Sequence, residues 1–366
     1  MKSPLRLSAG VATGLLLFIV SAISGYSAAY AAEQSPELKA LIAAADKEGK
    51  LEVQWGANQL GGNDGLKQIT SGMNAMFGTH IVSTMTPAPN ENEALNAVMI
   101  AKSVNHPSPT DIFIGSNQHG ALIYQRKMGL KVSWQALLPD RIQASSVEAD
   151  GAALRMYTVI PGGIIYNPQR VPYPPVNLAD LLKPEWKGKI ASTPYASGLD
   201  LLSATDVWGE ARTLDFARKL STQLAGLVRC NDFERISSGE YIAYALDCTG
   251  TDAQTWADKG APIRHVIPAD FAALRYYYMT IPTNATNPSA AQLMIVFLHT
   301  PEGQKMIWKL RHSDLDTYPE GHMAQEINAY EAKGIVFHKF TIAWYLEHPE
   351  IRPVAGQVAK IISRSN

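Results

Sequence analysis

The chain has 366 residues, 46% of them hydrophobic and 18% charged, with a formal net charge of −1. That length buries a large core and divides into two domains, and the composition is that of a globular protein, not a disordered one. With 32 basic against 33 acidic residues and no basic patch, the chain argues against nucleic acid as its partner.

The N-terminus has the form of an export signal. Lys2 and Arg6 precede an apolar run over 11–23, and Ala29-Tyr30-Ala31 offers a small-x-small cleavage site. The run is too short to span a bilayer comfortably. Residues 1–31 therefore read as a removed signal peptide, with a retained membrane anchor as the alternative, leaving a soluble periplasmic protein of net charge −1 − 2 = −3. In that oxidising compartment Cys230 and Cys248 are expected to pair, closing an 18-residue loop worth about 3 kcal/mol. Two separate buried thiols are the alternative.

Residues 36–49 place Leu38, Leu41, Ile42 and Ala45 on one helical face, with Gly49 as the stop. Residues 51–55 alternate as a strand, and a glycine-rich loop over 56–64 leads to a helix over 65–77. A strand over 80–85, a helix over 91–104 and a strand over 111–114 follow. This alternation predicts a mostly parallel sheet flanked by helices, with a ligand crevice at the carboxyl ends of the strands. Those ends supply Trp55, Asn58 and Gln59 in one loop and Ser116 and Asn117 in another. Either loop alone reads equally well as a solvated turn.

Extended segments at 153–157 and 163–166 carry the chain out of this unit, and an aromatic one over 272–281 brings it back. Between them lies a second α/β unit, with helices expected over 199–208, 214–227 and 252–259 and strands near 190, 241–247 and 266–268. Two crossings between two lobes make a hinge. The first lobe reads as 32–156 plus 270–311, the second as 157–269, and 312–366 as a helical C-terminal segment with helices over 323–333 and 339–346.

The stretch 178–198 is the most informative. Leu178, Leu181 and Leu182 recur at helical spacing until Pro184 removes a donor. Trp186 is an apolar anchor, Gly188 a turn, Ile190-Ala191 a strand start, and Ser197-Gly198 precedes the next helix. Asp-Leu-Leu-x-Pro-x-Trp-Lys-Gly-Lys-Ile, residues 180–190, follows Tyr166-Asn167 and a proline-rich link. It resembles the extracellular solute-binding proteins of the iron(III)/thiamine type. Ser238-Gly239-Glu240 and Pro301-Glu302-Gly303-Gln304 are weaker echoes, so the resemblance covers roughly residues 50–310. It implies a two-lobed periplasmic-binding-protein fold (type II) and a monomeric capture subunit that hands a small solute to an ABC transporter permease. No cofactor and no catalysis are expected.

In iron(III) members of that family a pair of adjacent tyrosines follows the serine-glycine-glutamate step. Those positions fall here around 246–250, which hold no tyrosine. Phenolate oxygens are the hard ligands ferric iron requires, so iron is the second reading and no metal ligands are assigned. Nucleophile-elbow, zinc-protease and P-loop motifs are missing, which leaves a secreted enzyme on this scaffold as the third. The leading reading is an organic solute with an anionic end. Backbone N–H groups would hold it at Ser197-Gly198 and at Thr249 and Thr251, although ordinary helix capping accounts for each alone. Trp55, Tyr166 and Tyr195 would form aromatic walls, and Asp252 would pair a cationic group or support its own helix. Tyr276 and Tyr278 share one face of the returning segment and Tyr277 the other. Packing at the hinge is the first reading for these tyrosines; one of them, with Tyr276 taken as the candidate, or Arg275 is expected to reach the cleft.

Overall fold

The structure is a computed structural model describing residues 34–194, 197–230 and 232–364. The expected export signal and Tyr195 lie outside the described residues.

Helix α1 (Pro36–Glu48) starts where the Ser35 hydroxyl accepts the Leu38 N–H, and ends at Gly49, whose φ of 65° suits a residue without Cβ. Then come β1 (Lys50–Gly56), α2 (Gly62–Phe77), β2 (Val82–Ala88), α3 (Glu91–Ser103), β3 (Phe113–Ser116) and α4 (Asn117–Gln125). Strands β1 and β2 pair in parallel from Lys50↔Val82 to Gly56↔Ala88. Alternation in β1 turns Leu51, Val53 and Trp55 into the core. Asp111 ties this layer together. Its carboxylate accepts the Glu52 N–H at 2.8 Å, the Thr286 and Asn287 N–H groups at 2.9 Å and the Asn287 side-chain amide at 2.9 Å.

After β4 (Val147–Glu148) and the wholly buried β5 (Ala153–Val159), residues 160–163 lead into the second lobe. That lobe comprises β6 (Ile164–Tyr166), β7 (Ile190–Ser192), α5 (Glu210–Ser221), β8 (Leu224–Leu227), β9 (Ala243–Ala245), α6 (Asp252–Asp258) and β10 (Arg264–Val266). Its sheet order is β10-β6-β9-β7-β8. The chain returns on β11 (Ala272–Thr280), followed by α7 (Pro288–Leu298), α8 (Pro301–Arg311), α9 (His322–Glu331), β12 (Phe337–Phe340), α10 (Ile342–Glu347) and α11 (Ile351–Ile362). Helix α7 is buried along its length and lies on α1, whose Glu48 accepts the N–H groups of Ser289 and Ala290.

The two-stranded β1-β2 sheet is parallel, whereas both five-stranded sheets are mixed and not mostly parallel. Strand β7 runs parallel to β8 and β9, while β6 is antiparallel to β9 and β10. Because β11 comes back from the other lobe, it enters the first sheet antiparallel to both β3 and β5. Among the described residues no helix is long and apolar enough to cross a membrane.

Four segments differ from the sequence reading. Residues Leu178–Leu182 form a 3-10 turn fixed by reciprocal bonds between Asn177 and Asp180, with Trp186 fully buried behind it. The helix expected over 199–208 is also only a 3-10 turn, Leu201–Ser203. Leu199, Leu201, Leu202 and Ala204 are all buried there, which a helix with a single apolar face cannot achieve. The segment 214–227 divides into α5 and β8 because its last residues pair with β7. In the C-terminal segment, 337–340 is a strand beside β11, and Pro353 opens α11 in the first turn, where no backbone donor is needed. The Cys230–Cys248 disulfide, with Cα atoms 5.6 Å apart, joins the loops that follow β8 and β9.

Candidate functional site

Strand β11 runs where the two lobes meet, its Arg275 within electrostatic reach of Glu91 in the first lobe and Asp200 in the second, and the space on this side is called the gap. Its alternation sends Arg275 and Tyr277 to one face, both half-buried, and Tyr276 and Tyr278 to the other, where they are fully buried. The Tyr277 ring stacks on Tyr157 of β5 at 4.8 Å, and the Gln59 amide donates to the Tyr157 hydroxyl at 2.7 Å. Burial drives both phenols well above their ordinary range, so they stand as neutral hydroxyls.

Glu91, the first residue of α3, accepts a hydrogen bond from Tyr277. Burial pushes its carboxyl up to about 7, opposed by Arg311 and Arg275. His119, in the first turn of α4, is pressed down to about 4, by burial first and by Arg275 second. Its Nδ1 accepts the Ser116 N–H at 3.2 Å, which leaves the proton on Nε2 for Asn92 Oδ1 at 3.1 Å. The 3.6 Å approach of Nδ1 to Glu91 is thus a contact with a neutral ring and not an ion pair.

The second lobe faces this array with carboxyl groups. Burial raises Asp200 against the pull of Arg275. Asp247 is pushed up to about 7 by burial and by its neighbour Asp252, although it accepts the Gly250 N–H. Asp252 meets Arg311 at 3.2 Å across the gap. Despite burial, Asp252, Tyr157 and Tyr277 together hold Arg311 firmly cationic. Arg275 has no such direct partner. Among the described residues it makes no hydrogen bond or ion pair, and it lies within electrostatic reach of Glu91, Asp200, His119 and Tyr277.

The residues singled out from sequence fall into three groups. Gln59, Ser116, Asn117, Gly198, Thr249, Thr251 and Asp252 lie around the hinge. Ser116 stands opposite Tyr277, Gly198 abuts the backbone of Pro161 and Gly162, and the Thr249 carbonyl accepts the Ile160 N–H at 2.9 Å. The Asn117 amide nitrogen and the Thr251 hydroxyl are buried with no hydrogen-bond partner among the described residues. Asn58 is exposed, and Ser197 donates its N–H to Thr193 at 3.4 Å. Trp55, Tyr166 and Tyr276 stand elsewhere. Trp55 sits on the inward face of β1, with its indole donating to the Ile112 carbonyl. Tyr166 packs on the second-lobe core beside Tyr330. Tyr276 points to the far face of β11, with Arg155 over its ring at 3.9 Å and its hydroxyl 3.4 Å from Asp316.

The sequence reading missed Glu91, His119, Tyr157 and Arg311, and it preferred Tyr276 where the structure turns Arg275 and Tyr277 to this face. A signal for Glu91 was available, since it follows β2 as the singled-out loops follow β1 and β3. Arg275 stands out as a charge inside an otherwise uncharged strand. Arg311 comes from the last turn of a helix distant in sequence, and nothing local marks it.

A likeness to known structures accompanies this geometry. A substrate-binding protein of an ABC transporter from Agrobacterium tumefaciens superimposes with a TM-score of 0.68 at 15% identity, covering 86% of this chain and 95% of that one. Iron-bound HitA from Pseudomonas aeruginosa gives 0.64 at 15% identity, over 84% of this chain and 99% of its own. The spermidine/putrescine-binding protein PotD from Streptococcus pneumoniae gives 0.57 at 17%, over 85% and 99%. At such identities the likeness establishes the two-lobed fold. Comparison with curated proteins gives no match by sequence. The family model for bacterial extracellular solute-binding proteins matches residues 108–333, well over half of the chain. The protein therefore belongs to the bacterial extracellular solute-binding proteins and serves ABC transport by binding a solute.

Proposed function

We propose that the solute is a small organic anion, held between the lobes by Arg275. The observation carrying this reading is that guanidinium, turned into the gap without an ion-pair partner among the described residues. Asp252 already answers Arg311. Glu91 and Asp200, the carboxyls within reach of Arg275, are both shifted by burial toward their neutral forms. A cation left unpaired in such surroundings costs several kcal/mol, and a ligand carboxylate or phosphate removes that cost through two parallel hydrogen bonds. The stacked Tyr157 and Tyr277 offer an apolar surface beside it.

The lobes are taken as residues 32–156 with 270–311 and residues 157–269, closing on the solute about the crossings. The protein acts as an exported monomer, freed of its signal peptide, that captures without chemical change and needs no nucleic acid. Against ferric iron, the phenols facing the gap are already engaged, Tyr157 accepting from Gln59 and Tyr277 donating to Glu91. The absence of a visible charge-transfer band on adding ferric citrate is the result expected.

Thermal-shift measurement against dicarboxylates and phosphate esters tests the main reading. A ligand at a hundredfold its Kd stabilises by about 2.7 kcal/mol, a rise of roughly 5 °C, and R275Q is expected to lose that response. Stabilisation by polyamines alone, or an undiminished response in R275Q, overturns it.

A further inference from the structure

The C-terminal segment leaves the hinge beside the gap. Strand β12 pairs with β11 in parallel, Phe340 lying opposite Arg275. Helix α10 is then tied at both ends, to different lobes. The Ile342 N–H donates to Glu148 of β4 at 2.7 Å. The Trp344 indole donates to Asp206 of the second lobe at 3.1 Å, and the His348 ring lies 3.8 Å from the same carboxylate. Helix α11 completes the connection by burying Val354, Val358 and Ile362 in the second-lobe core. The segment is a third link between the lobes.

Tyr345 stands at the centre of this link. It packs against both the second-lobe core and the cluster on the far face of β11. Its phenol is within electrostatic reach of Asp200 and Arg275 and hydrogen-bonds Arg352, whose guanidinium sits 5.3 Å from the ring centre. Between these two residues and the first lobe is an opening of about 420 Å³, lined by Asn92, Gln118, His119, Tyr345 and Arg352. His119 separates this opening from Glu91: its Nε2 bonds Asn92 on the lining, and its Nδ1 lies 3.6 Å from the Glu91 carboxyl.

We propose that residues 337–362 form part of the solute site, with Tyr345 as the outer wall of the gap and Arg352 setting the charge at its mouth. This rests on reading the gap as the solute site. A bound anion enters past Arg352 and is covered on its outer side by the Tyr345 ring. Tyr345 thereby limits the length of solute that fits, and Arg352 favours anions over cations at entry.

The test reads the gap directly. Cys230 and Cys248 are joined, so S116C gives the chain one free thiol, on the gap side of His119. Its labelling rate is measured with an anionic methanethiosulfonate and with the cationic counterpart. In that background Y345A is expected to raise both rates about tenfold while Y345F, which keeps the ring, leaves them unchanged; R352Q is expected to slow the anionic reagent about threefold relative to the cationic one. N117C repeats the measurement if S116C does not fold. Rates unmoved by Y345A, or a ratio unmoved by R352Q, overturn the proposal. If the rates respond while no organic anion stabilises the protein, the wall stands and the anion reading falls.

Discussion

Arg311 and Asp252 meet at 3.2 Å across the gap, one from the last turn of α8 in the first lobe and the other from the first turn of α6 in the second. Both side chains are about one-fifth exposed, so water screens the pair only partly. Beside it the Thr255 hydroxyl lies 3.2 Å from His312 Nδ1. The lobes are thus joined by a polar seam on one flank of the gap and by the C-terminal link on another, and Arg275 lies between them.

Breaking that pair on one side strands the other charge. D252N is expected to destabilise the protein by about 2 kcal/mol, and the double variant R311Q/D252N by less, because no buried charge is left unanswered. Urea unfolding of the two variants and the wild type measures the difference. Equal losses in both would mean that the charges do not interact.

The pH response follows from the buried carboxyls. Glu91 and Asp247 are held up to about 7 in the folded chain, so between their ordinary values and 7 the folded state binds protons that the unfolded chain has released. Their contribution to stability is complete at low pH and is lost as pH rises toward 7. His119 and His265, both pressed by burial to about 4, act in the opposite direction: their contribution is complete above 6.5 and fades as pH falls toward 4. E91Q should remove part of the alkaline loss and be more stable than wild type at pH 8 by about 2 kcal/mol. Unfolding curves at half-unit pH steps provide the comparison.

Asp111 is the main polar tie of the first lobe, with four hydrogen bonds to its carboxylate from β1 and the start of α7. D111A leaves three backbone donors without partners, that of Asn287 buried and those of Glu52 and Thr286 partly so, and is expected to cost about 3 kcal/mol. A loss below 1 kcal/mol in denaturant unfolding would show that water replaces the carboxylate.

Removing the disulfide relaxes the loops after β8 and β9 in the second lobe. C230S/C248S is expected to lose about 3 kcal/mol. Hydrogen exchange should quicken over β9 and α6 while β1 and α7 remain protected, and uniform quickening would count against separate lobe cores.

The residue order alone determined the alternation of strands and helices, the two crossings, the Trp186 anchor and the loops at the strand ends. These follow from local rules: periodicity of apolar residues, caps, and glycine or proline where the backbone needs them. Even within those rules, the buried Leu199, Leu201 and Leu202 hid a turn, and the end of a four-residue strand at 337–340 passed for the start of the helix that follows. Only the tertiary structure decided which polar groups share the gap. Glu91, Arg275, Tyr277, Arg311 and Tyr345 come from four separate elements, and apart from Arg275 each is unremarkable where it stands in the chain. Their meaning depends on burial and on neighbours far away in sequence. The same distance explains Trp55 and Tyr276, which stand at the chain positions expected of wall residues yet are turned into the packed interior by the two-residue alternation of their strands.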